Sequence, residues 1–281
     1  PYEGIMMAHA LHRGCFTDTE IRYALEQEWG GAWELGAYRS ALSVFGQGFL
    51  KEESYSKYGG FDYFIYEGEA WHVSPEFASL LENSVYRKQV EDLISYSRCM
   101  WQEDDTEPGP HCFKLYGRYT RRDVARFLGW KEADVSTMYG YTIKNNQCPI
   151  FVTYHKDAEN TAASQMYEDR FLSPSHFQWM TRSNVRLTSK EPRLIMDQKN
   201  SGLEILLFVK KKDDEGQAFH YLGPVKYQEE SAQELTMYNE QKKPLPVVRI
   251  YYDLVYSVEP KLYDYLVEDG THTVIASQSV S

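Results

Sequence analysis

Along the first hundred residues apolar positions recur with the three-to-four residue spacing of amphipathic helices. GIMMAHALHRG predicts a short helix stopped by Gly14. TDTEIRYALEQEWGG predicts a second, opened by Thr17 with Glu20 three residues on, the spacing of a capping box that satisfies two orphan amides. In ELGAYRSALSVFGQGFL, Leu35, Tyr38, Leu42 and Phe45 share one helix face. FLKEES and GGFDYFIYEGEAWHVSP read as two strands turning at YSKYGG. SPEFASLLENSVYRKQVEDLISYSRCMW reads as one long helix, capped by Ser74 with Pro75 at its first position. Three helices and then a hairpin is the order of a winged-helix domain.

Beyond residue 105 the pattern changes. QEDDTEPGPH is acidic, carries Pro and Gly and has no period, which marks a linker between a winged-helix-like helical domain at 1–105 and a second domain at 106–281. In YTRRDVARFLGW, Thr120 caps a short helix that buries Val124, Phe127 and Leu128. YGYTIKNNQCPIFVTYHK reads as strand, turn at KNNQ, strand. NTAASQMYEDRFLSPSHFQWMTRSNV holds a loop, a helix turn and the signature FQWMTRS. LEILLFVKKKDDEGQAFHYLGPVKYQ is a hairpin turning at DDEG, LPVVRIYYDLVY a further strand, and PKLYDYLVE a closing helix. The fold class expected is α+β, with a mixed, strongly bent sheet or small barrel and short helices in the second domain.

Length and composition narrow the function. A chain of 281 residues can bury two cores, and no apolar run reaches the length of a membrane span. The four cysteines form no C-x-x-C pair, so neither a zinc site nor a disulfide framework is expected, and a reducing cytoplasm fits. The start at Pro1, without a signal-like segment, is read as a piece of a longer polypeptide. The net charge of −11 is uneven: residues 1–105 carry 8 Lys/Arg against 18 Asp/Glu, whereas residues 110–200 carry 14 against 9. The third helix offers only Glu34 and Arg39 to a DNA groove, so the acidic domain is expected to pack on a neighbouring domain or on a second copy.

Candidate chemistry gathers in the basic stretch. PIFVTYHKD is an apolar strand that stops in Tyr154, His155, Lys156 and Asp157. The absence of a glycine-rich phosphate loop excludes an ATPase, and no cofactor or metal site is expected. Arg118, Arg121, Arg122, Lys156, Arg182 and Arg186 are candidates for phosphate contacts. Tyr154, His155, Trp179 and Tyr221 are candidates for stacking on a base or lining its pocket. One rival is a metal-dependent nuclease using His155, Asp157 and Glu204. The other is a protein-interaction scaffold.

LYGRYTRRDVARFLGW, CPIFVTYHK, YEDRFLSPSHFQWMTRS and FHYLGPV, in that order over residues 115–266, resemble the C-terminal domain of bacterial DEAD/DEAH-box helicases that often follows a phospholipase-D-like nuclease module. The first hundred residues resemble the helical region between helicase and domain in those proteins. The resemblance implies restriction or anti-phage defence, with ATP and nuclease sites in parts absent here, and it attaches no proven role to the domain itself. The expectation is therefore a non-catalytic module that selects DNA, modified or single-stranded, for helicase and nuclease domains of the same polypeptide.

Overall fold

The computed structural model describes residues 2–47, 52–57, 59–103, 111, 113–130, 138, 140–155, 169–238 and 241–268. The chain divides into two units, Pro1–Lys114 with Arg122–Ser136, and Leu115–Arg121 with Thr137–Ser281. Each is described by itself.

In the first unit α1 (Tyr2–Arg13) leads through β1 (Cys15–Phe16) to α2 (Asp18–Glu28), α3 (Leu35–Phe45) and α4 (Glu52–Lys57). The start of α2 follows its sequence: Glu20 N–H donates to Thr17 Oγ1 at 3.2 Å and Thr17 N–H donates to Glu20 Oε2 at 2.9 Å. Such a cap stabilises a helix by about 1 kcal/mol. Tyr38 and Phe45 are buried with Phe16, Phe64 and Phe77, while Leu35, at the first position of α3, stays exposed.

The strand expected at FLKEES is replaced by α4 over residues 52–57, and its earlier residues, together with part of the expected turn, lie outside the described ones. The hairpin instead falls wholly within the second expected strand, as β2 (Phe64–Glu67) and β3 (Ala70–Val73). Its two turn residues, Gly68 and Glu69, sit at φ 56 and 68, the left-handed pair that a tight hairpin twist requires. The sheet order is β1-β3-β2, antiparallel throughout. The long helix is divided into α5 (Pro75–Leu81) and α6 (Ser84–Glu103), because Asn83 Oδ1 accepts from the amides of Val85 and Tyr86 at 3.0 and 3.2 Å and so starts a new helix.

The second unit is built on a mixed, open sheet, not a closed barrel. Its strands are β4 (Arg118–Thr120), β5 (Gln147–Thr153), β6 (Arg170–Ser173), β7 (His176–Met180), β8 (Glu204–Lys210), β9 (Ala218–Tyr227), β10 (Gln233–Tyr238) and β11 (Pro244–Leu254). The order is β5-β8-β9-β11-β7-β6, with β10 on β11 and β4 on β9. Only β5 and β8 run parallel among the described pairs. The helices are α7 (Arg121–Phe127), which straddles the division of the chain, α8 (Lys190–Met196), α9 (Gln198–Ser201) and α10 (Pro260–Val267). The whole is α+β, and no described helix is long and apolar enough to cross a membrane.

The parallel pair explains why CPIFV and EILLFV are apolar at every position: both faces are covered. Cys148, Ile150, Val152, Ile205, Leu207 and Val209 enter one core with Trp179, Tyr252 and Leu266. On the alternate positions Phe151 stacks on Phe208 with centroids 5.0 Å apart, Phe208 meets Tyr221 at 5.0 Å, and Phe151 meets the edge of Phe219 at 5.2 Å. A bulge between Leu207 and Phe208 faces Gly223 at φ 97.

The expected turns at KNNQ and DDEG are present, the first with Asn145 and Asn146 at φ 50 and 60. The β6–β7 hairpin was not legible, since RFLS is a short run and its Pro174-Ser175 turn lacks glycine. Part of the loop and helix turn expected before it, residues 160–168, lies outside the described residues.

Candidate nucleic-acid interface

The abrupt end of PIFVTYHKD lies where two parallel strands finish side by side, with Thr153 opposite Lys210. Backbone pairing runs on for two residues, Tyr154 N–H to Lys210 O and His155 N–H to Lys211 O, each at 2.8 Å. Four side chains lock this end. Lys210 is only 7% exposed, and its Nζ reaches Asp213 Oδ1 at 2.8 Å, donates to Gly216 O at 3.1 Å, and stands 4.9 Å over the Phe219 ring. Thr153 Oγ1 donates to the same Asp213 oxygen at 3.1 Å. The hydrogen bond from Lys210 holds the Asp213 carboxyl below its ordinary range.

Arg121 completes the cluster from the end of β4. Its guanidinium lies 4.8 Å over Phe219 and 5.3 Å over Phe151, within cation–π range. Burial pushes its pKa down, against the pull of Asp213. No hydrogen bond or ion pair reaches the guanidinium among the described residues, and its Nε is buried without a partner. A guanidinium half removed from water, held by two rings and the field of Asp213 but by no direct hydrogen bond among the described residues, makes Arg121 an unusual cation of the unit.

Around it stand Arg118, donating to Glu215 O at 3.3 Å, and Lys211, 4.9 Å over the exposed ring of Tyr265. The Tyr265 hydroxyl donates to Glu215, and burial together with that carboxylate raises its pKa to about 12. His220, whose Nδ1 lies 3.2 Å from Tyr116 O, has its pKa lowered by burial.

Arg118, Arg121, Tyr154 and His155 are thus brought to one end of the sheet, but the two rings of this set are partly committed. The Tyr154 hydroxyl accepts from Phe171 N–H at 3.4 Å, its ring packs 5.5 Å from Phe171, and His155 Nε2 lies 3.0 Å from Leu266 O. Trp179 and Tyr221 are 3% and 2% exposed and do not line a surface hollow. Trp179 meets Tyr141 edge-on at 4.8 Å and Tyr252 at 5.9 Å, and Tyr221 packs under Phe208. Both point inward because strand alternation carries them into one or other buried layer of the sheet.

Arg182 and Arg186 do not join the cluster. They follow β7, four strand positions from β5 or about 19 Å at ordinary strand spacing. Each is matched by an acid: Arg182 bonds Glu191, which also accepts from Tyr141 at 2.8 Å, and Arg186 pairs with Glu234 at 2.9 Å. Arg122 is exposed and belongs to the first unit, and Lys156 and Asp157 lie outside the described residues.

Of the nuclease candidates, Asp157 lies outside the described residues, and Glu204 stands apart from His155. Glu204 opens β8 opposite Gln147, whereas His155 lies eight residues further along, so about 26 Å of strand separates them and they cannot share a metal. The sequence reading did not single out Lys210, Lys211, His220 or Tyr265. The signal was the run VKKK, which ends a buried strand and so delivers its lysines to the same place as the end of β5.

Two families match the chain. One described as a domain of unknown function, DUF8090, matches residues 1–104, and one described as a domain of unknown function, DUF3427, matches residues 113–266. Among solved structures, the DNA modification-dependent restriction endonuclease AspBHI is similar at 15% identity over 50% of this chain and 71% of that one, with a TM-score of 0.34. The sulfur binding domain and SRA domain of ScoMcrA, complexed with phosphorothioated DNA, is similar at 12% identity over 94% and 87%, with a TM-score of 0.32. At such TM-scores no residue role is transferred. No curated protein matches in sequence. The match over residues 113–266 covers more than half of the sequence, and the chain belongs to the DUF3427 family.

Proposed function

We propose that this chain is a non-catalytic module that recognises DNA for a helicase–nuclease of restriction or anti-phage defence. Its DNA contact is the strand-end cluster of the second unit. The observation that carries the reading is Arg121, a half-buried guanidinium stacked on two rings and left without an acceptor. A phosphate oxygen can complement its charge and accept from its terminal guanidinium nitrogens. Arg118, Lys210, Lys211 and Lys212 stand with it against Asp213, Asp214 and Glu215, a local excess of positive charge in an acidic chain. His155 and Tyr265 are the rings at this end for a base or sugar. Trp179, Tyr221, Arg182 and Arg186 are left out of the contact.

The first unit serves as the docking part toward the helicase and nuclease domains. Its order of helix, strand, two helices and hairpin, interrupted by the added short α4, with the first strand beside the last, supports a winged-helix reading. Its charge argues against a DNA-reading use.

Gel shifts of short duplex and single-stranded DNA at about 50 and 200 mM salt test the proposal: binding should be present at the lower salt and weaken steeply at the higher. Absence of binding at both salts would leave the scaffold reading. Plasmid incubated with the protein and magnesium or manganese should remain intact, and nicking would restore the nuclease.

A further inference from the structure

The first unit carries a groove of about 690 Å³ that the DNA reading does not use. Its walls are mainly apolar, with Met7, Phe45, Phe77, Val90, Leu93 and Ile94, although Glu3 and Arg122 also line it, and its volume lies within the range of ligand-accepting clefts. Two further features mark it. Gln47 lines it at φ 48, a left-handed conformation rare for a side-chain-bearing residue. Gln47 is 6% exposed, its Nε2 donates to Phe61 O at 3.2 Å, and its Oε1 is buried with no partner among the described residues.

The apolar surface continues out of the groove along α6. Val85, Leu93, Tyr96 and Met100 are 66, 66, 63 and 47% exposed. At about 100° per residue the four fall within roughly 80° of one another, a stripe interrupted by exposed Gln89 between Val85 and Leu93, on which Leu93 also forms the groove wall. From Val85 to Met100 the stripe runs about 22 Å, four helical turns. Soluble proteins rarely leave such a strip uncovered.

We infer that the groove and stripe receive an amphipathic partner helix with basic flanks. An elongated apolar strip beside a cleft suits the helix-in-groove mode of recognition, with anchors at i, i+3 and i+7. Charge decides the flanks. Residues 1–105 carry 8 Lys/Arg against 18 Asp/Glu, so a basic helix is attracted and a second copy of this chain repelled. The inference rests on the reading of the first unit as the docking part and adds the surface and the occupant's chemistry.

The test uses the whole chain and two labelled helical peptides of about 18 residues, with the same leucine face and either lysine or glutamate flanks, followed by fluorescence anisotropy. The lysine peptide should bind and the glutamate peptide should not. Leu93→Glu, at an exposed position that tolerates the change, should weaken the lysine peptide by about tenfold or more. Simple attraction to an acidic surface predicts the reverse, since Leu93→Glu adds a negative charge. Equal binding of both peptides, no binding of either, or undiminished binding to Leu93→Glu overturns the inference. So does a dimer in sedimentation that Leu93→Glu dissolves. Association with the helicase–nuclease part that survives Leu93→Glu would remove the groove and keep the docking reading, whereas absence of any association would remove the docking reading itself.

Discussion

Trp179→Ala removes the largest ring from the core of the second unit, and its effect should be lost stability with unchanged recognition. The ring is 3% exposed and makes contacts at 4.8 Å with Tyr141 and 5.9 Å with Tyr252. Truncating a buried tryptophan costs about 3–5 kcal/mol, and aromatic pairs of this kind carry about 0.5–1.5 kcal/mol each within that sum. Against a total stability of about 5–15 kcal/mol and a urea slope of about 2 kcal/mol/M, the midpoint should fall by about 2 M. Urea titration followed by far-ultraviolet circular dichroism reads this directly. Trp179→Phe should lose less than half as much, because most of the volume and both ring contacts persist. DNA affinity of the folded variants should match the parent. A Trp179→Ala protein with the parent midpoint and an altered base preference would refute the burial argument and return Trp179 to the binding surface.

Three smaller perturbations follow from the same geometry. Gly223→Ala should destabilise by about 2 kcal/mol or more in the same titration, since φ is 97 and the added Cβ would lie 2.9 Å from the Tyr256 ring. Thr17→Ala should cost about 1 kcal/mol and Thr17→Ser almost nothing, because only the hydroxyl closes the box around Glu20. Asp213 has a lowered native pKa, so its contribution is complete above the ordinary carboxylate value and drains away as pH falls through the lowered one. Asp213→Asn should therefore flatten the acid limb of a stability-against-pH profile and leave stability constant with pH near neutrality.

Much of the architecture was legible because local chemistry and tertiary packing agree. The Thr17 box, the Asn145-Asn146 turn, the fully apolar β5 and β8 and the α10 start at Pro260 each carry their signal within a few residues. Errors arose where one residue outweighed a longer pattern. Asn83 divides a helix whose apolar period runs through it, and Gly68-Glu69 makes a turn without the Asn-Gly or Asp-Gly signature. The site was legible only in part. Arg118, Arg121 and His155 converge because β4, β5 and β8 end near one another, a fact of sheet order that no local pattern encodes. Trp179 misled because a hydrophilic context, FQWMTRS, surrounds a residue whose strand phase points inward. Lys211 and Lys212 were hidden in a run that looked like a solvated turn.

The central claim is that Arg121 holds a phosphate. Arg121→Met keeps the stem over Phe151 and Phe219 and removes the charge, so DNA affinity measured from about 50 to 200 mM salt is the direct test. The account predicts binding about tenfold weaker at low salt, a log–log slope shallower by about 0.9, and stability close to the parent, since the relief from burying the cation offsets the loss of its ring contacts and of the attraction to Asp213. An Arg121→Met protein that binds with the parent affinity and slope would contradict it.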